Sequence, residues 1–180
     1  MQGVLSARWY TGFAGMEGIG VAKPDKTNAM RLLDRAGVAY EAFRYESGGQ
    51  PKDAVTVAGL LGVPPEIVYK TLALQGSDGA YYVCVVPGPK ELDLKKAAAA
   101  FEVKSLRMLH ADEIRPVTGY ERGGCSPIGM KKPYATALDV SALALAGILV
   151  SAGQIGLQVR LAPKDLMAAC VARAAELTRD

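Results

Sequence analysis

Two apolar runs separated by Gly76-Ser77-Asp78-Gly79 constrain this chain more than any other feature of its sequence. Residues 68–74 read Val-Tyr-Lys-Thr-Leu-Ala-Leu, and residues 80–86 read Ala-Tyr-Tyr-Val-Cys-Val-Val. β-branched and aromatic residues on both sides of a short Gly/Asp turn predict an antiparallel hairpin. Pro87-Gly88-Pro89 ends it. Helical signals stand on either side of the hairpin instead of alternating with single strands. Strict βαβ alternation is therefore absent, and a mixed sheet in an α+β domain is the expected architecture.

The remaining signals are regular from Pro24 onward. Thr27 caps a helix with Met30, Leu33 and Ala36 on one face, and Gly37 sits where a terminating glycine belongs. Val38, Tyr40 and Ala42 alternate with exposed positions, as in a half-buried strand. A short helix is predicted over residues 53–61, stopped by Gly62 and Pro64-Pro65. Asp93 caps an alanine-rich helix over residues 94–101. A strand over 103–107 and a helix over 111–116 follow, then a glycine-rich loop over 119–129. Strands are predicted at 134–138, 148–151 and 157–161. Pro163 opens a last helix whose apolar face is expected to include Leu166, Met167, Cys170, Val171 and Ala174.

Composition narrows the function classes. A chain of 180 residues is one domain's worth. Residues 1–24 are Gly-rich, contain no continuous apolar core after a basic start, and read as an N-terminal extension. The folded domain is expected over residues 25–180. No run reaches the ~18–20 apolar residues of a membrane span, so no membrane partner is expected. The formal charge of +3 permits a nucleic-acid partner without arguing for one. Three cysteines without a CxxC pair, and a single histidine, form neither a disulfide framework nor a zinc site. No metal or other cofactor is expected, and a reducing cytoplasm is the expected compartment.

Chemistry concentrates in the loop Gly119-Tyr120-Glu121-Arg122-Gly123-Gly124-Cys125-Ser126-Pro127-Ile128-Gly129 and the Met130-Lys131-Lys132 that follows. Its backbone amides can approach a ligand oxygen closely and stabilise negative charge there. A tight surface turn explains the same residues and is the commoner use of them. A nucleotide-binding P-loop is excluded, because Met130 stands where the lysine is required and Lys131 is followed by Lys132. Cys125 near basic residues suggests a nucleophile, yet His110 is the sole imidazole available, and a histidine of this kind more often caps a helix or faces solvent. Lys70, a charge within the first hairpin strand, reads either as a solvent-facing lysine or as a fixed ammonium over a cleft.

Several segments in order resemble the YbaK/EbsC family of freestanding editing proteins, relatives of the editing insertion in bacterial prolyl-tRNA synthetases. They are Tyr69-Lys70-Thr71-Leu72, Leu92-Asp93-Leu94-Lys95-Lys96, Thr118-Gly119-Tyr120 running into the glycine loop, and Ser151-Ala152-Gly153-Gln154-Ile155-Gly156-Leu157. The similarity covers residues 26–179. The resemblance implies a partly barrel-like mixed sheet packed with helices, and an aminoacyl-tRNA deacylase that removes cysteine from mischarged Cys-tRNA(Pro). The cysteine preference rests on the likeness of the loop and its two lysines to the cysteine-specific branch. Alanine, or another small amino acid released by water attack, is the alternative, as is a non-catalytic module that binds tRNA or a synthetase. By resemblance Lys70 is the essential lysine, Tyr45 shapes the pocket, and the backbone from Gly124 to Gly129 faces the aminoacyl carbonyl. Asp165 matches an aspartate implicated in activity, although an Asp near a helix start is equally a favourable dipole partner. Thr71, Gly123, Ser126, Pro127 and Ile128 complete the implied substrate contacts. The implied partners are tRNA(Pro) and prolyl-tRNA synthetase. Relatives often carry a histidine and then a proline after the residues matching Tyr45-Glu46; here Ser47-Gly48-Gly49-Gln50-Pro51 takes that place. In the cysteine-specific relatives the substrate's own thiol attacks its carbonyl, which suits a chain without an evident catalytic triad.

Overall fold

The computed structural model describes residues 8–9 and 25–179. The expected N-terminal extension therefore lies outside the described residues, apart from a two-residue strand β1 (Arg8–Trp9) that pairs in parallel with β2. The elements that follow are α1 (Asn28–Arg35), β2 (Glu41–Arg44), α2 (Ala54–Leu61), β3 (Tyr69–Gly76), β4 (Tyr81–Pro87), α3 (Leu94–Phe101) and β5 (Leu106–Met108). After them come α4 (Ala111–Thr118), β6 (Ala135–Asp139), β7 (Ile148–Gln154), β8 (Leu157–Leu161), α5 (Pro163–Cys170) and β9 (Arg173–Ala175).

The starts of the helices are local chemistry. Thr27 Oγ1 accepts from Met30 N–H, Asp53 Oδ1 from Val55 and Thr56, and Asp93 Oδ1 from Lys95 and Lys96. Each such cap satisfies N–H groups that a helix leaves open and stabilises it by about 1 kcal/mol.

The strands form two mixed sheets, ordered β1-β2-β8-β7 and β5-β3-β4-β6-β9. β3 and β4 are the expected hairpin, in register from Tyr69 opposite Pro87 to Gln75 opposite Tyr81. The α+β class holds, but the sheets do not close into a barrel. β3 already has β4 on one edge and β5 on part of the other, so only Val68, ahead of the strand, bridges to Leu149.

Burial explains the layering. Along β4, Val83 and Val85 enter the core between the two sheets, with α1, Ile128 and Leu166, while Cys84 and Val86 face α3 and Leu177 on the other side. A strand covered on both faces needs apolar residues at every position, which is why this run does not alternate. Each such side chain is worth about 1.5–3 kcal/mol of burial. A smaller cluster of Tyr45, Val57, Ala58, Val68 and Leu149 seats α2 over the junction of the sheets.

The C-terminus departs from expectation. The last helix stops at Cys170; Val171 takes a left-handed conformation, φ 50°, and is 89% exposed, and Ala174 lies in β9. The edge of β6 is the competing force: β9 pairs with it in parallel, and the buried Asp139 carboxylate accepts from Leu177 N–H.

Candidate active site

A cleft of about 500 Å³ opens where α2, β3, β8 and the glycine loop converge. Lys70 and Thr71 enter it from β3, Tyr45 from just after β2, Ser151 from β7, Gln158 from β8, and Arg122, Gly123 and Cys125 from the loop.

Lys70 is anchored from below. Its Nζ donates to the Gly88 carbonyl at 3.2 Å and lies 3.8 Å from the carboxylate of Glu91, which is largely solvent-exposed. Gly88 itself is held by its N–H to Val68 O at 2.7 Å. A Cβ at Gly88 would stand 2.5 Å from that of Ala54 and 2.9 Å from Val68 O, so no side chain fits there. The Pro87-Gly88-Pro89 segment, legible in the sequence only as a strand terminator, is thus the seat of the lysine. One of three ammonium donors goes to Gly88, leaving others for a ligand.

Two polar atoms of residues that line the same cleft have no partner. Thr71 Oγ1 and Gln158 Oε1 are buried without a hydrogen bond among the described residues, and both residues line the cleft. A buried polar atom without a partner costs about 1–3 kcal/mol, so both atoms have hydrogen-bonding capacity that a molecule in the cleft can use. Gln158 stands opposite Ser151 in the β7–β8 ladder. Sequence reasoning missed it. The available signal was period 2: Leu157, Val159 and Leu161 pack in the core and put Gln158 on the other face, a pattern solvent exposure produces equally.

The glycine loop divides. Arg122, Gly123 and Cys125 face the cleft, whereas Pro127, Gly129, Lys131 and Lys132 line a second cavity of about 280 Å³ with Tyr134, Ala169 and Cys170. Gly124 packs on the β7–β8 turn, where a Cβ would stand 3.1 Å from Ile155 N. Its own N–H donates to Glu121 O, and Ile128 N–H donates to Ser126 Oγ. Ser126 and Ile128 are buried, Ile128 as part of the core. On the cleft side of the loop the backbone amides of Arg122, Gly123 and Cys125 donate to no group among the described residues. Of the residues expected from the sequence, the cleft therefore gathers Tyr45, Lys70, Thr71 and Gly123. It does not gather Gly124, Ser126, Pro127, Ile128 or Gly129. Asp165 also lies elsewhere, in the first turn of α5, the dipole-partner position.

Cys125 is no activated thiol. Burial pushes it up to about 11, partly offset by the Thr118 hydroxyl. His110 is exposed at the start of α4, its backbone N–H donating to Glu113 Oε2 at 2.8 Å, and no hydrogen bond joins it to Cys125. Among the described residues no three His, Cys, Asp or Glu side chains cluster to hold a metal ion. No described helix is long and apolar enough to cross a membrane.

With this geometry in hand, the comparisons with known proteins are specific. Residues 50–169 match the family model of the aminoacyl-tRNA editing domain. The chain is 41% identical over 153 residues to EbsC of Enterococcus faecalis, which carries the provisional name Cys-tRNA(Pro)/Cys-tRNA(Cys) deacylase; the match spans 85% of this chain and 93% of that protein. It is 37% identical over 76 residues to a proline–tRNA ligase of Thermosipho africanus, covering 42% of this chain and 13% of the ligase. A crystal structure described as that of a candidate trans-editing enzyme for prolyl-tRNA synthetase superposes with a TM-score of 0.74 at 26% identity, over 86% of this chain and 99% of the other. The resemblance drawn from the motifs is therefore borne out, and the chain belongs to the aminoacyl-tRNA editing domain family.

Proposed function

We propose that this protein is a trans-editing aminoacyl-tRNA deacylase that removes cysteine from mischarged Cys-tRNA(Pro). The observation that carries the reading is one cleft lined by a half-buried lysine and by unpartnered Thr71 Oγ1 and Gln158 Oε1, with no imidazole or activated thiol on its lining. The name carried by the Enterococcus relative supports the amino acid and the tRNA. Residues 25–180 form the editing domain in this reading. The three free cysteines suit a cytoplasmic setting.

Such a cleft suits a reaction in which the substrate brings its own nucleophile. The cysteine thiol attacks its own carbonyl, a C–S bond forms, and the ester C–O bond breaks. The thiol proton ends on the released ribose oxygen, and the amino acid leaves as a cyclic thioester. No water is consumed, which makes the step lyase-like and not hydrolytic. The Gly123 and Cys125 amides and the Lys70 ammonium stabilise the negative charge that grows on the carbonyl oxygen. Gln158 Oε1 and Thr71 Oγ1 accept from the α-amino group, which holds the reacting carbonyl against those donors.

The test is deacylation of Cys-tRNA(Pro), Ala-tRNA(Pro) and Pro-tRNA(Pro), each with wild-type protein and Lys70→Ala. Clearance of the cysteinyl species alone, with a cyclic thioester trapped as product and loss of activity in the variant, is expected. Clearance of only the alanyl species would replace cysteine with alanine and cyclisation with water attack. No clearance with or without prolyl-tRNA synthetase would leave a binding module.

A further inference from the structure

The cleft lining carries two cations that the catalytic reading leaves unused. Lys52 and Arg122 are 70 residues apart in sequence, yet their segments touch: a Cβ at Gly123 would stand 2.6 Å from Pro51 Cβ and 2.9 Å from its Cα. Gly123, at φ 84°, is what permits this approach. The contact puts a lysine and an arginine on neighbouring turns of the same wall. Both are exposed, and neither has an ion-pair partner among the described residues. Asp53, the one carboxylate lining the cleft, is committed elsewhere: it accepts from Val55 N–H, Thr56 N–H and Thr56 Oγ1, hydrogen bonds that hold it below the usual carboxylate range. Lys70 lies on the same lining, deeper and half-buried. The lining thus carries three cations, of which only Lys70 has a carboxylate beside it, that of the exposed Glu91, while the one lining anion is already bound at the start of its own helix.

We propose that Lys52 and Arg122 are positioning residues that clamp the phosphodiester preceding the esterified nucleotide, so that single-stranded RNA enters over the Pro51–Gly123 contact and delivers its 3′ end to Lys70. The proposal rests on the editing reading and adds to it the side from which the RNA enters. Arginine forks a phosphate through two parallel N–H donors, while lysine acts as a point charge on a flexible stem. One phosphate neutralised on a single strand contributes about 0.7 to the salt slope of binding. Exposed cations with nothing to neutralise them cost the free protein little, which suits a site filled only when a polyanion arrives.

The test measures binding of a fluorescein-labelled single-stranded RNA ending in CCA to wild-type protein, Lys52→Ala, Arg122→Ala and the double variant, from 50 to 200 mM salt. In parallel, kcat/KM is compared on Cys-tRNA(Pro) and on 3′-cysteinyladenosine, which has no phosphate. The double variant is expected to bind RNA about tenfold more weakly with a salt slope about 0.7 smaller. Its loss of kcat/KM on charged tRNA should exceed that on the nucleoside ester by a similar factor, through KM. Arg122→Lys should recover part of the loss. Unchanged RNA binding and slope, or equal losses on both substrates, would overturn the clamp. Wild-type protein that cleaves neither ester while the variants still lose RNA binding would sink the deacylase reading and support the clamp as an RNA-phosphate site.

Discussion

The two sides of the glycine loop are built from the same residue types and do different things. On the second-cavity side most polar groups bond within the fold: Tyr134 Oη donates to Val117 O at 2.7 Å, Lys131 Nζ to Pro116 O at 3.0 Å, and Cys170 Sγ to Leu166 O at 3.0 Å, while the exposed Lys132 side chain has no partner among the described residues. On the cleft side Thr71 Oγ1 and Gln158 Oε1 are buried with no partner, and Lys52 and Arg122 have no counter-ion among the described residues. Glycine and lysine content does not distinguish a site from a turn. Unspent hydrogen-bonding capacity is the better guide, because buried polar atoms without partners are few in a fold and each calls for something to satisfy it.

The sharpest way to break the comparison is to remove one lysine from each side. Lys70→Ala should lower kcat on Cys-tRNA(Pro) by about 100-fold, roughly 2.7 kcal/mol of barrier, while Lys131→Ala stays within about twofold. Similar losses in steady-state assays of the two variants would erase the distinction.

Gln158→Leu comes next, with an expected loss of about tenfold in kcat/KM. Denaturant titration should find the variant no less stable than wild type, because an unsatisfied buried acceptor has been replaced by an apolar group. A destabilised Gln158→Leu would mean that the carboxamide serves the fold and not a ligand.

Val171→Gly probes the second side. A β-branched residue in the left-handed region costs about 1 kcal/mol or more, so glycine there should stabilise by about 1 kcal/mol with activity unaltered. A change in deacylation would connect this end of α5 to the chemistry.

The smallest effect concerns thiols on both sides. Burial raises Cys125 and Cys170 from 9.0 to about 11 each, so the folded chain holds these protons after the unfolded chain has begun to lose them. The native state then binds more protons between those values, and stability must fall as pH rises. Denaturant midpoints should be flat below about pH 8.5 and decline from about pH 9 to 11. The decline should be shallower in a Cys125→Ala/Cys170→Ala protein, whose deacylation at pH 7 should match wild type within about twofold if Cys125 is no nucleophile.

Much was legible in the sequence because it is local. The hairpin turn, the caps at Thr27, Asp53 and Asp93 and the opening proline of α5 each depend on residues within four positions of one another. Lys70, Thr71, Tyr45 and Gly123 could be singled out as well, because each sits in a short segment that resembles the family's pattern. What failed was longer in range. Ala174 belongs to a sheet edge that did not exist until β6 was placed, and residues 127–129 turn from the cleft because Ile128 is worth more in the core.

The amino-acid sequence by itself determined the α+β class, the order of elements and the lysine at the centre of the site, since periodicity, capping and a family motif are properties of neighbouring residues. Only the tertiary structure decided that Gly88 seats Lys70, that Gln158 Oε1 is buried without a partner, and that Pro51 packs on Gly123, which brings the segments of Lys52 and Arg122 to one cleft. Those facts are distances between residues far apart along the chain, set by how two sheets, a helix and a loop pack together, and no local pattern encodes them.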